Sequence, residues 1–144
     1  MKLFIGVWTL FQFLIVLIIG GYAIWQQNPL YGQIYAGGSV LAMLAMMSTY
    51  CTKCRCRLTN CAHVFPGMVT RILPRRESAP YTKLDYAISF LPLALVVASA
   101  QFWLWSNLVL GVVYWVLLLS TGVALQKTVC PSCENCHCPM SPGT

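Results

Sequence analysis

Charge is what this sequence lacks most. Only 8% of its 144 residues are charged; three are acidic and nine are Lys or Arg, for a formal net charge of +6. A soluble globular domain carries roughly a quarter charged residues, so a fold covered by solvated ionic side chains is excluded. The shortage is concentrated in two places. Leu3 to Thr52 and Tyr86 to Gln126 contain no Lys, Arg, Asp, Glu or His at all. Transporters, proton relays and voltage sensors need ionisable groups at membrane depth, and a proton pump is the function class this composition disfavours most.

What fills the space is apolar: 58% hydrophobic and 12% aromatic residues, with a mean hydropathy of +0.70. Uncharged runs of this length belong in lipid. They divide into spans at about 3–25, 34–50, 86–105 and 108–125, separated by Gln26-Gln27-Asn28-Pro29, by a central loop and by Ser106-Asn107. Each span of about 17 to 23 residues approaches the roughly 30 Å hydrocarbon thickness at 1.5 Å rise per residue. The expected fold is an all-α integral membrane protein, a single membrane domain over 1–144. Its four transmembrane helices would form two antiparallel hairpins, with a Cys-rich basic loop at 51–85 and a Cys-rich tail at 127–144.

Lys2 followed by an apolar run and Gly21-Tyr22-Ala23 resembles a secretory signal with a small-residue cleavage site. The run exceeds the usual signal core, and the segment is expected to be retained as a span.

Orientation follows from the basic residues, which collect on the cytoplasmic side of a membrane. Lys2 precedes the first span, Lys53, Arg55, Arg57, Arg71, Arg75, Arg76 and Lys83 occupy the central loop, and Lys127 follows the last span. In a four-span topology all of these share one face, so both termini are expected in the cytosol. Trp and Tyr favour the headgroup level. Tyr22, Trp25, Tyr31, Tyr35, Trp103 and Trp105 are expected to ring the outer face, and Tyr50, Tyr81 and Tyr86 the inner one. Trp8, Tyr114 and Trp115 fit neither ring and read as helix packing or lipid contact.

Small residues let helices approach closely in lipid. Gly20 and Gly21, with Ala36, Gly37, Gly38, Ser39, Ala42 and Ala45, suit a tight contact between the first two spans. The polar residues Thr9, Gln12, Ser39, Ser89, Ser99, Gln101, Ser120 and Thr121 read as interhelical hydrogen bonders rather than a quinone or substrate site. Pro92 is expected to bend the third helix.

All eight cysteines lie outside the spans, in two sets of four. Cys51, Cys54, Cys56 and Cys61 follow the second helix, with His63 close behind, and Cys130, Cys133, Cys136 and Cys138 follow the fourth, with His137 among them. Structural disulfides are out of place in a reducing cytosol. A redox dithiol needs far fewer thiols. Metal binding accounts for the numbers, since thiolates three residues apart converge on one ion and four complete a tetrahedron. The candidate metal ligands are therefore Cys51, Cys54, Cys56, Cys61, Cys130, Cys133, Cys136 and Cys138, with His63 as a further one. His137 is set aside, because adjacent side chains rarely reach one ion.

Tetrahedral sulfur sites suit both zinc and iron. Cys130-Pro131-Ser132-Cys133 resembles the C-P-x-C knuckle of zinc ribbons and rubredoxins over those four residues. Cys130, Cys133 and Cys136 share the C-x2-C-x2-C spacing of bacterial ferredoxins, but only one residue separates Cys136 from Cys138 where that pattern has three. Zinc is the first expectation and an iron-sulfur cluster the alternative.

The remaining loop carries a turn at Pro66-Gly67 and basic residues that serve topology and anionic-lipid contact. A docking surface for an acidic cytosolic protein is the sharper reading of the same charge, and no motif points to nucleic acid. The functional expectation is an accessory or scaffold subunit of a larger membrane complex, in which catalysis is not required. Two alternatives are an iron-sulfur electron-transfer subunit linking a cytosolic redox partner to a membrane carrier, and a membrane thiol-disulfide oxidoreductase.

Overall fold

The computed structural model describes residues 2–54, 69–74, 76 and 80–132. Among these, the chain is helical with no strand: α1 (Lys2–Gln27), α2 (Pro29–Thr49), α3 (Lys83–Leu104) and α4 (Leu108–Ala124). Short turns extend two of them, a 3-10 turn at Cys51–Lys53 after α2 and a π-helical turn at Leu125–Val129 leading to a 3-10 turn at Cys130–Ser132 after α4. Four helical segments are long and apolar enough to cross a membrane: Phe4–Gln27, Pro29–Lys53, Lys83–Leu104 and Leu108–Thr128.

Helix starts follow from local chemistry. Read from sequence, Pro29 breaks the first apolar stretch; in the structure it opens α2 instead. A proline at the first helical position loses no bond, because its missing N–H would have had no partner there. Asn28 supplies the cap, its side-chain oxygen accepting from the amides of Leu30 at 3.0 Å and Tyr31 at 3.4 Å. The second span therefore begins before the expected residue 34. Asn107 caps α4 in the same way, accepting from the Leu110 amide at 3.2 Å. At α3 the start is Thr82, whose hydroxyl accepts from the Asp85 amide at 3.2 Å while the Asp85 carboxylate accepts from the Thr82 amide at 2.9 Å. That reciprocal pair is a capping box. Through Pro92, α3 continues without interruption.

The core is narrow, drawing on Val16 and Ile24 of α1, Tyr35 and Ala42 of α2, Val96 and Ala100 of α3, and Tyr114 of α4. Helix α1 packs against all three others, and the most extensive contact is between α2 and α3. Although only a tight connection separates α3 from α4, those two meet far less. Elsewhere the surface is apolar: Ile18, Ile34, Leu41, Leu95, Phe102 and Val116 are all exposed. Water would penalise such a surface and a bilayer would not.

Contacts place the helix ends. Tyr31 lies against Trp103 near the start of α2 and the end of α3, whereas Thr49 meets Ser89 near the opposite ends. Gln27 reaches Ser106, and Gln12 reaches Ser120. The exits of α2 and α4 thus lie at the same end of the bundle as the entries of α1 and α3.

Close approach between α1 and α2 uses only part of the expected small-residue set, with Ser39 and Ala42 buried as well. Gly20 and Gly21 lie against Tyr35, and Gly32 lies against Trp25, while a Cβ on Gly37 or Gly38 would meet nothing within 4 Å. Ala36 is likewise exposed. Tyr35 is a second correction: it is buried in the core rather than placed in the outer aromatic ring, because the glycines of α1 leave room for its ring. Tyr22, Trp25, Tyr31 and Trp105 are exposed. Tyr114 is fully buried, whereas Trp8 and Trp115 lie on the outer surface.

The polar residues of the spans divide into two kinds. Gln12, Ser89, Gln101 and Ser120 bond across helices, with Trp115 donating its indole N–H to Gln101 at 2.8 Å and Thr49 sharing a 2.7 Å hydroxyl contact with Ser89. Thr9, Ser39, Ser99 and Thr121 instead donate to carbonyls one turn back in their own helices. That internal bonding satisfies a hydroxyl where lipid offers no partner.

Candidate functional site

The cysteine-bearing end of the bundle holds the densest polar structure in the described residues. Here α2 finishes with Tyr50 and passes into the turn Cys51-Thr52-Lys53, and Cys54 closes it by donating its amide to the Cys51 carbonyl at 3.2 Å. Both cysteines of this C-x2-C are half-buried. Thr52 is buried and donates its hydroxyl to the Ser48 carbonyl at 2.6 Å, fastening the turn to the last turn of α2.

Lys53 reaches the other way. Its Nζ lies 2.6 Å from Oδ2 of Asp85 in the first turn of α3, with side-chain exposures of 9% and 4%. The same carboxylate accepts from the Thr82 hydroxyl at 2.8 Å, and from Nη1 of Arg76 at 3.1 Å. Arg76 is about half exposed, so Lys53 is the buried counter-charge and Arg76 the solvent-side one. Burial costs a carboxylate heavily unless its lone pairs are filled, and here two cations, a hydroxyl and an amide fill them. Each charge also suits its place, the acid at a helix start and the base beyond a helix end.

Two more ties run in parallel. Tyr81 donates its hydroxyl to the Tyr50 carbonyl at 3.2 Å, and the two rings stack with centroids 4.4 Å apart. Phe90 sets its edge against Tyr50, and Tyr86 stacks on Phe90. Together with Thr49–Ser89, these contacts bolt the exit of α2 to the entry of α3 at three successive levels.

The second cysteine set begins at the same end. Cys130 is half-buried and opens the 3-10 turn Cys130–Ser132, which packs on the π-helical turn; that turn packs in its own right against α1. Cys56, Cys61, His63, Cys133, Cys136 and Cys138 lie outside the described residues, as do the Pro66-Gly67 turn and Arg55, Arg57 and Arg75. Among the described residues no three His, Cys, Asp or Glu side chains gather as a metal-binding group. What the described residues show of the first cysteine set is a closed backbone turn that holds Cys51 and Cys54 at its two ends.

At the opposite end, a cleft of about 320 Å³ lies between α1 and the α3–α4 connection, lined by Tyr22, Gln26, Gln27, Ser106, Asn107 and Leu110. Gln27 donates to Ser106 across it at 3.0 Å. No charged side chain lines it.

Sequence reasoning missed Asp85. It stands just outside the second uncharged stretch, and Thr82-Lys83-Leu84-Asp85 carries the Thr-x-x-acid spacing of a capping box. That signal marks a helix start and points to no partner on α2. Compared with known protein families, curated proteins and solved structures, the chain matches none. Its function has to be argued from its own chemistry.

Proposed function

We propose that this is a small four-span membrane protein, with its spans in two antiparallel hairpins, that carries a tetrathiolate metal module on its cytosolic face. In this reading it serves as an accessory or scaffold subunit of a larger membrane complex. The observation that carries it is positional: the closed C-x2-C turn of Cys51 and Cys54 leaves α2 at the end where Cys130 leaves α4. A metal bound by both cysteine sets would join the exits of α2 and α4, which among the described residues share no other extensive contact. So small an extramembrane part cannot build a hydrophobic core, and a structural metal supplies the missing stabilisation.

Zinc is the metal this reading favours, with Cys51, Cys54, Cys56, Cys61, Cys130, Cys133, Cys136 and Cys138 as ligands and His63 as a further candidate. The cytosolic assignment rests on the basic residues, since Lys53, Arg76, Lys83 and Lys127 all belong to segments at this end. The same charge suits anionic lipid headgroups and an acidic cytosolic partner.

Elemental analysis of the purified chain tests the proposal. Stoichiometric zinc in a colourless protein supports it. Iron with acid-labile sulfide in a brown protein selects the electron-transfer reading, for which the Cys130, Cys133, Cys136 spacing speaks. A metal-free protein whose thiols cycle with a disulfide selects the oxidoreductase reading.

A further inference from the structure

Both residues between Cys51 and Cys54 are committed to the bundle. Thr52 is held by the Ser48 carbonyl at 2.6 Å, and Lys53 by Asp85 at 2.6 Å. The two anchors lie on different helices, α2 and α3, so the turn between the cysteines is gripped from both sides. A lysine inside a C-x2-C would ordinarily be free to swing its charge toward the thiolates. Here its ammonium is buried against a carboxylate that is itself locked by Thr82 and Arg76.

We propose that Asp85 is the positioning residue of the Cys51–Cys54 pair, holding the C-x2-C turn closed through Lys53 and coupling metal occupancy to the packing of α2 on α3. The inference rests on the metal-module reading above and adds to it a residue that touches no metal. Groups that orient metal ligands from behind typically govern affinity 10- to 100-fold. The coupling is reciprocal by necessity: if the clamp favours metal, metal favours the clamp.

Position and charge predict opposite signs, which makes the assignment testable. Lys53, Arg76 and Asp85 together carry one net positive charge beside the cysteines. Asp85→Asn raises it by one, and extra positive charge stabilises thiolates. If Asp85 acted through its charge alone, Asp85→Asn would bind metal more tightly. As a positioning residue it loosens the turn and binds more weakly.

The experiment titrates the full chain in detergent with Zn2+ against a competing chelator. Relative to wild type, Asp85→Asn is expected to bind 10- to 100-fold more weakly with unchanged maximal stoichiometry. The double variant Lys53→Met/Asp85→Asn, which leaves no unpaired buried charge, guards against misfolding; it is expected to show the same weakening as Asp85→Asn. In parallel, metal-free protein is alkylated and read by mass spectrometry. Cys51 and Cys54 are expected to react faster in Asp85→Asn, with Cys130 unchanged. Equal or tighter zinc binding by Asp85→Asn overturns the inference and leaves the metal reading standing. Absence of zinc from wild type overturns the metal reading, and unchanged alkylation then removes the positioning role as well.

Discussion

The hydroxyl of Tyr35 occupies the space a side chain on Gly20 would need. A Cβ at Gly20 would lie 2.6 Å from the Tyr35 oxygen, 3.1 Å from its ring carbon Cζ and 3.1 Å from the Ala100 Cβ. Three helices therefore meet at one glycine, and the aromatic ring that fills the centre of the bundle depends on it.

Gly20→Ala is expected to destabilise the bundle by about 1–3 kcal/mol, the usual cost of overpacking a filled site. Gly37→Ala, in open space, should cost nothing, and by reducing backbone entropy it gains up to about 1 kcal/mol. Because the shortest contact is to the hydroxyl, Tyr35→Phe should recover part of the Gly20→Ala loss. Thermal unfolding in detergent across the double-mutant cycle checks this; strict additivity would mean that the two groups do not meet.

The hydroxyls of Tyr35 and Tyr114 are buried and, among the described residues, have no partner at hydrogen-bond geometry. An unsatisfied buried donor contributes no net stability. Tyr114→Phe is therefore expected to leave unfolding unchanged or raise the midpoint slightly. A loss above about 1 kcal/mol would reveal a bonded partner such as an enclosed water.

Asp85 and Arg76 should separate cleanly by burial. Asp85→Ala strands Lys53, which is 9% exposed, and removing one member of a buried pair costs about 3–5 kcal/mol. Arg76→Ala removes a half-exposed partner and should cost at most about 1 kcal/mol. Chemical unfolding of both variants in the same detergent makes the comparison, and equal losses would contradict the burial argument.

For the metal module, Cys51→Ser and Cys133→Ser are each expected to lower bound metal and to destabilise the ends of the bundle where α2 and α4 finish. Elemental analysis with matched unfolding curves measures both effects. Unchanged stoichiometry would remove those residues from the ligand set.

Membrane orientation can be read by labelling intact cells with an impermeant thiol reagent. Native cysteines should stay unlabelled, while a cysteine placed at exposed Gln26, at the opposite end of the bundle, should react. The reverse pattern would turn the protein over and put its cysteines in an oxidising compartment.

Much of the architecture was legible in advance, for a physical reason. Lipid offers a backbone no hydrogen bonds, so an uncharged run as long as Leu3–Thr52 must be helical. Its length and the polar Gln26–Asn28 segment then divide it into two helices, each long enough to cross a membrane. Helix limits were less legible, because Pro29 reads equally as a stop and as a start until Asn28 is seen to cap the amides beyond it. The cysteine spacing was plain in the sequence, but the turn that closes Cys51 and Cys54 was not.

By itself, then, the sequence determined the apolar, membrane-compatible character of this protein, its helical class and the spacing of its cysteines, since those depend on composition and on neighbours along the chain. Tertiary structure alone decided that Tyr35 turns inward onto Gly20, that α3 packs on α2 rather than on its neighbour α4, and that the lysine between two cysteines is held by Asp85. These pairings join residues far apart in the chain. They are chosen by shape and by the need to satisfy buried polar groups, and neither requirement is written in any single segment.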